Sequence, residues 1–166
     1  MENKNISMTL EIKYDKLYFD DIVFIFKSLK NRNKIFFTTD KYWVNEDIYK
    51  CLKNNNIKIE KEQYDKIIPA LKDIIKRSID FQIENISKGS LIIKISLDVL
   101  RTTLVPLISI SNLPQGIEIG MILVIINNIY SKYEKEYDNM ILEFERNCIK
   151  RLSKKKERNI DVKVKK

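Results

Sequence analysis

Residues 80–97 read DFQIENISKGSLIIKISL. Phe81 and Ile83, with Asn85 as a third inward candidate, alternate with Gln82 and Glu84. Leu91, Ile93, Ile95 and Leu97 alternate on the return. Between the two runs, Ser87-Lys88-Gly89-Ser90 supplies a turn in which glycine takes a positive φ. The period of two on both sides of a glycine turn predicts a β-hairpin. An isolated hairpin is marginal in water, so the sheet needs a further strand. Residues 8–14 supply one: Leu10, Ile12 and Tyr14 alternate with Thr9, Glu11 and Lys13.

Outside these runs the period changes to that of a helix. Asp20 and Asp21 precede the apolar run Ile22 to Phe26, and Tyr18, Ile22, Phe26 and Leu29 share one face. This predicts a helix from about 20 to 31 with an acidic N-terminus. Residues 34–44 are rich in β-branched and aromatic types and read as a strand or an ordered loop. Asn45 is placed as the cap of a short helix to about 53, with Val44, Ile48, Cys51 and Leu52 inward. Tyr64, Ile67, Ile68, Leu71, Ile74 and Ile75 mark a helix over 61–77, with Pro69 as a kink or its true start. A further helix is expected over 98–110.

From Thr102 to Tyr130 the only charged residue is Glu118. From Ile117 onward, apolar residues recur every three or four positions as far as Leu152. Read as one helix, 117–152 is about 54 Å long at about 1.5 Å per residue. A helix that long projects from a small domain and needs a partner for its far end. The reading is therefore an α+β fold: a small antiparallel sheet packed on helices, with a long C-terminal helix and a basic tail. Residues 1–149 form the single domain, which includes the long helix from about 117. Residues 150–166 form a basic tail, frayed or disordered.

The same residues limit the chemistry. There is no histidine among 166 residues, which removes the commonest acid/base near neutral pH and the commonest transition-metal ligand. Cys51 and Cys148 form no Cys-x-x-Cys pair and read as free thiols in a reducing compartment. The paired carboxylates Asp20-Asp21, Glu60-Glu62 and Glu134-Glu136 fall at helix starts or on charged faces. Capping and solvated surface account for them better than acid/base work in an apolar cleft. Three glycines supply neither a Walker loop nor a dinucleotide fingerprint. Ser87-Lys88 and Ser153-Lys154 are adjacent Ser–Lys pairs of the kind chance produces in a lysine-rich chain. No metal, cofactor or small-molecule substrate is expected.

The net charge is +8, but residues 150–166 carry nine Lys/Arg against two Asp/Glu, and the other 149 residues carry 22 against 21. The body is nearly neutral and the tail basic. Only six of the basic residues are arginine, and the wealth of Ile, Lys and Asn fits A/T-rich codons. That composition suits an accessory protein of a bacterial or mobile-element system.

The leading expectation is a non-catalytic interaction or adaptor protein. It binds a protein partner or itself through Tyr130, Tyr133, Tyr137, Met140 and Phe144, aromatic and Met side chains of the kind that favour interface cores. A second reading has apolar residues 104–126 entering a membrane, with the tail at its surface. Polar Asn112, Pro114, Gln115 and Glu118 oppose a clean span. A third has Lys150, Arg151, Lys154, Lys155, Lys156 and Arg158 contacting nucleic-acid phosphates or an anionic surface, although no aromatic residue interleaves with them. The polar N-terminus carries no secretory pattern, which places the protein in the cytoplasm, on the membrane periphery under the second reading.

Overall fold

A computed structural model describes residues 4–110, 118–154 and 159–166. In chain order the elements are β1 (Ser7–Tyr14), α1 (Phe19–Thr38), a 3-10 turn (Asp40–Tyr42), α2 (Asn45–Asn54), α3 (Lys61–Ser78), β2 (Gln82–Ser87) and β3 (Ser90–Ser96). Then follow α4 (Leu97–Ile110), α5 (Ile119–Lys132), α6 (Glu134–Lys154) and β4 (Ile160–Lys165). The fold is α+β, with a small antiparallel sheet, a helical layer and a long C-terminal helix.

The sheet has four strands in the order β2-β3-β1-β4. The hairpin turns at Lys88-Gly89, where Ser87 pairs with Ser90 and Gly89 has φ +88°. β3 pairs with β1 so that Leu91 faces Ile12 and Ile93 faces Leu10. Met8, Leu10, Ile12, Leu91, Ile93 and Ile95 are buried on one face. Thr9, Glu11, Lys13, Ile92 and Lys94 take the other, as strand alternation requires. Asn85 does not point inward as alternation suggested. Ile83 pairs with Ile93 and Asn85 with Ile92, so Glu84 is an extra, bulged residue. The bulge shifts the phase by one and brings Ile86 opposite Leu91.

β4 corrects the expectation of a frayed tail. Val162 pairs with Ile12 and Val164 with Leu10, and Val162 is buried. The signal was present in the sequence: Ile160, Val162 and Val164 alternate with Asp161, Lys163 and Lys165. The charge of the segment masked its period. Lys166 then ties the chain end to α6, with Nζ 2.7 Å from Glu134 and 2.5 Å from Asp138.

α1 is longer than its stripe predicted: residues 34–38, read as part of a strand or ordered loop, form its last turn, and 39–44 is a connection that contains the 3-10 turn. Asp21 reaches back to accept the Tyr18 N–H at 2.9 Å and closes the N-terminus. At the other end Thr38 and Thr39 donate to the carbonyls of Lys34 and Ile35, both at 2.6 Å. Phe36 and Phe37 are buried against Tyr137, and this packing overrides their strand propensity. Trp43 Nε1 donates to the Phe37 carbonyl at 2.7 Å. α2 is capped by Val44, which is exposed rather than inward, while Ile48 and Leu52 are buried. α3 starts at Lys61, and Pro69 lies inside it.

The single helix expected over 117–152 is two. Tyr133 has φ −116° and ψ 35°, outside the helical region, and separates α5 from α6. Its ring packs on Tyr42, with centroids 4.5 Å apart. The break lets α5 pack on α2 and α4 while α6 packs on α1 and β4. The surplus apolar length folds back instead of projecting.

The Tyr64 side chain is buried at 1% exposure, and its hydroxyl has no hydrogen-bond partner among the described residues. Burial holds its pKa above the usual tyrosine value. Removing an unsatisfied buried hydroxyl removes a desolvation penalty. Tyr64→Phe is therefore expected to leave stability unchanged or raise it by about 1 kcal/mol, read as the urea midpoint. A loss of that size would show that the hydroxyl is hydrogen-bonded.

Candidate interaction surfaces

The five residues expected to bind a partner separate into two groups. Tyr130, Tyr137 and Phe144 are buried in this chain's own core. The Tyr137 ring lies 5.2 Å from Phe36, 5.7 Å from Phe37 and 5.3 Å from Tyr130. Its hydroxyl donates to Asn33 Oδ1 at 2.7 Å, and Asn33 Nδ2 donates to the Leu29 carbonyl at 2.8 Å. Both members of this buried pair are satisfied, and burial raises the Tyr137 pKa. These three residues are thus corrected from interface to core: α6 packs on α1, β4 and α5, and Tyr137 meets Phe36 and Phe37 of α1, neighbours that the sequence could not place opposite it. Tyr133 and Met140 are only half-buried and remain at the surface.

α1 and α6 run antiparallel. Arg151 stacks on the Phe24 ring at 3.9 Å, Arg32 pairs with Glu143 at 3.6 Å, Phe36 meets Tyr137, and Tyr42 meets Tyr133. Near the C-terminal end of α1 the seam opens into a groove of about 420 Å³. Ile35, Phe36, Tyr42 and Met140 supply its apolar lining, and Asn31, Arg32 and Thr39 its polar lining. Ile35 is 58% exposed there.

The opposite end of α1 gathers segments far apart in sequence. Tyr14 N–H donates to the Gly89 carbonyl at 3.1 Å, and its hydroxyl donates to the Ser87 carbonyl at 2.9 Å. Asp15 N–H donates to the Asn159 carbonyl at 3.3 Å. The β1–α1 connection, the hairpin turn with Lys88, the last turn of α6 and the start of β4 therefore lie together. Phe19 is 77% exposed at the first position of α1, and Tyr18 beside it is 47% exposed. Lys150, Arg151 and Lys154 of the expected anionic-contact set belong to this end, and all three are exposed. Lys155, Lys156 and Arg158 lie outside the described residues.

The apolar stretch has a plainer role than membrane entry over its described part. Met121, Ile122, Leu123, Ile125 and Ile126 of α5 and Leu104 of α4 are buried in the core. They are corrected from lipid contacts to core residues. Residues 111–117 lie outside the described residues. Among the described residues, no helix is long and apolar enough to cross a membrane.

The carboxylate pairs sit where helix starts place them. Asp20 and Asp21 are in the first turn of α1, Glu60 caps α3 with Glu62 in its first turn, and Glu134 and Glu136 open α6. The hydrogen bond from Lys166, with Lys4 close by, holds the Glu134 carboxyl below the usual range. Among the described residues no three carboxylate or thiol side chains group to hold a metal ion. Both cysteines are free thiols. Burial pushes Cys148 up to about 12, so its thiolate is scarce at neutral pH. Comparison with known protein families, curated proteins and solved structures gives no match to this chain.

Proposed function

We propose that this protein is a non-catalytic interaction protein that holds a protein partner in the groove between the C-terminal half of α1 and α6. One observation carries the reading: Ile35 stands 58% exposed over a groove of about 420 Å³ whose lining includes Phe36, Tyr42 and Met140. A groove of that size takes one or two large apolar side chains. Met and aromatic residues favour interface cores, and Arg is the cation most enriched there. The Glu143 carboxylate holds Arg32 beside the opening, so part of the polar rim is already ordered. The occupant is an apolar side chain of a partner's helix or extended segment, flanked by acceptors for Arg32 and Asn31. The action is steric or scaffolding.

A photo-crosslinking residue at position 35 of the full chain tests this in cells. Position 142 is the control, because Leu142 is also exposed but does not line the groove. A discrete protein adduct is expected at 35 and none at 142, and Met140→Lys is expected to abolish it. An adduct of twice the chain mass, with concentration-dependent light scattering, would identify a second copy as the partner. Equal labelling at both positions, or none at 35, would overturn the reading.

A further inference from the structure

We infer that the other end of α1 is a peripheral anchor for an anionic lipid bilayer, with Phe19 as the side chain that enters it. This inference does not depend on the groove. Phe19 carries no polar group, is 77% exposed, and sits beside Tyr18 at 47%. A bare aromatic tip with a tyrosine next to it suits the boundary between headgroups and acyl chains. Both side chains stand at the first turn of α1 with most or half of their surface open to solvent.

Cations from three separate segments surround this end. Lys16 comes from the β1–α1 connection, Lys88 from the hairpin turn, and Lys150, Arg151 and Lys154 from the end of α6. The contacts that join them are Tyr14 to Gly89, Asp15 to Asn159 and Arg151 to Phe24. Asp15, Asp20, Asp21 and Asp161 share the end. Asp20 and Asp21 face the positive N-terminus of α1, where the helix dipole offsets their charge. Asp15 accepts the Lys16 N–H at 2.7 Å. Each basic residue near an anionic leaflet contributes to an attraction that salt weakens. The tip provides the apolar term and the lysines the electrostatic one, and stable attachment needs both.

Single-stranded nucleic acid also uses cations and aromatic residues, but it stacks its bases along a groove. A non-polar ring 77% exposed at the first position of a helix favours the bilayer. The test is co-sedimentation of the full chain with vesicles of phosphatidylcholine, with and without phosphatidylglycerol, at low and high salt. Binding is expected only with phosphatidylglycerol and is expected to weaken at high salt. Phe19→Ala is expected to lose about tenfold in affinity, and Phe19→Trp to restore it with a blue-shifted emission on binding. Leu142→Ala, which removes another exposed apolar side chain from the middle of α6, is expected to bind like the parent. The inference is overturned by no binding to anionic vesicles, by binding indifferent to Phe19→Ala, or by equal losses in Phe19→Ala and Leu142→Ala. It is equally overturned if the chain ignores vesicles but retards a single-stranded oligonucleotide in a Phe19-dependent way.

Discussion

Tyr137→Ala is expected to lower folding stability by about 4 kcal/mol, the usual cost of emptying a fully buried aromatic site. The ring touches Phe36, Phe37 and Tyr130, so its loss leaves a cavity bounded by three other large side chains that cannot all move into it. A domain of this size is stable by only about 5–15 kcal/mol, so the variant approaches the unfolding threshold. Tyr137→Phe separates packing from hydrogen bonding. It keeps the ring and leaves Asn33 Oδ1 buried without its 2.7 Å donor, a loss of about 1–2 kcal/mol. Urea unfolding followed by circular dichroism measures both. A Tyr137→Ala midpoint close to the parent's would mean that the ring is not in the core and is free to meet a partner.

Val162→Asp tests the tail. Val162 is 2% exposed and pairs from the edge strand with the fully buried Ile12 on the core face. An unpaired carboxylate there is expected to cost about 3–4 kcal/mol. Lys163→Ser, one residue on and facing outward, is expected to change stability by less than about 0.5 kcal/mol. The contrast between neighbours is the signature of a strand with one buried face. A disordered tail would be indifferent to both substitutions, and equal midpoints for the two variants would remove β4 from the sheet.

If both proposed surfaces act, their geometry matters. Phe19 and Ile35 are sixteen positions apart on α1, about 24 Å at about 1.5 Å per residue. One rigid helix would then hold a bilayer at one end and a protein at the other. That arrangement would make the protein an adaptor with separable halves, since Phe19→Ala should weaken only the bilayer contact and Met140→Lys should abolish only the protein contact.

What the sequence determined by itself was local. Gly89 between two period-two runs defined the hairpin, and the stripes on α2 and α3 predicted those helices within a few residues. The missing histidine and the scattered cysteines narrow the chemistry by residue type alone. These are statements about backbone preference and residue type, which depend on near neighbours. The outcome at residues 34–38, at Tyr133 and at Ile160–Lys165 rested on contacts with distant segments. Phe36 and Phe37 are helical because Tyr137 lies beside them, and β4 is ordered because β1 offers it an edge. An amphipathic period says that one face is covered but not by what. Only the tertiary structure could show that α1 covers Tyr137, leaves Met140 beside an exposed Ile35, and carries Phe19 to the same end as Lys88 and Arg151. The burial of apolar area that drives this assembly is non-directional, so its partners are chosen by the shape of the whole fold rather than by any one segment.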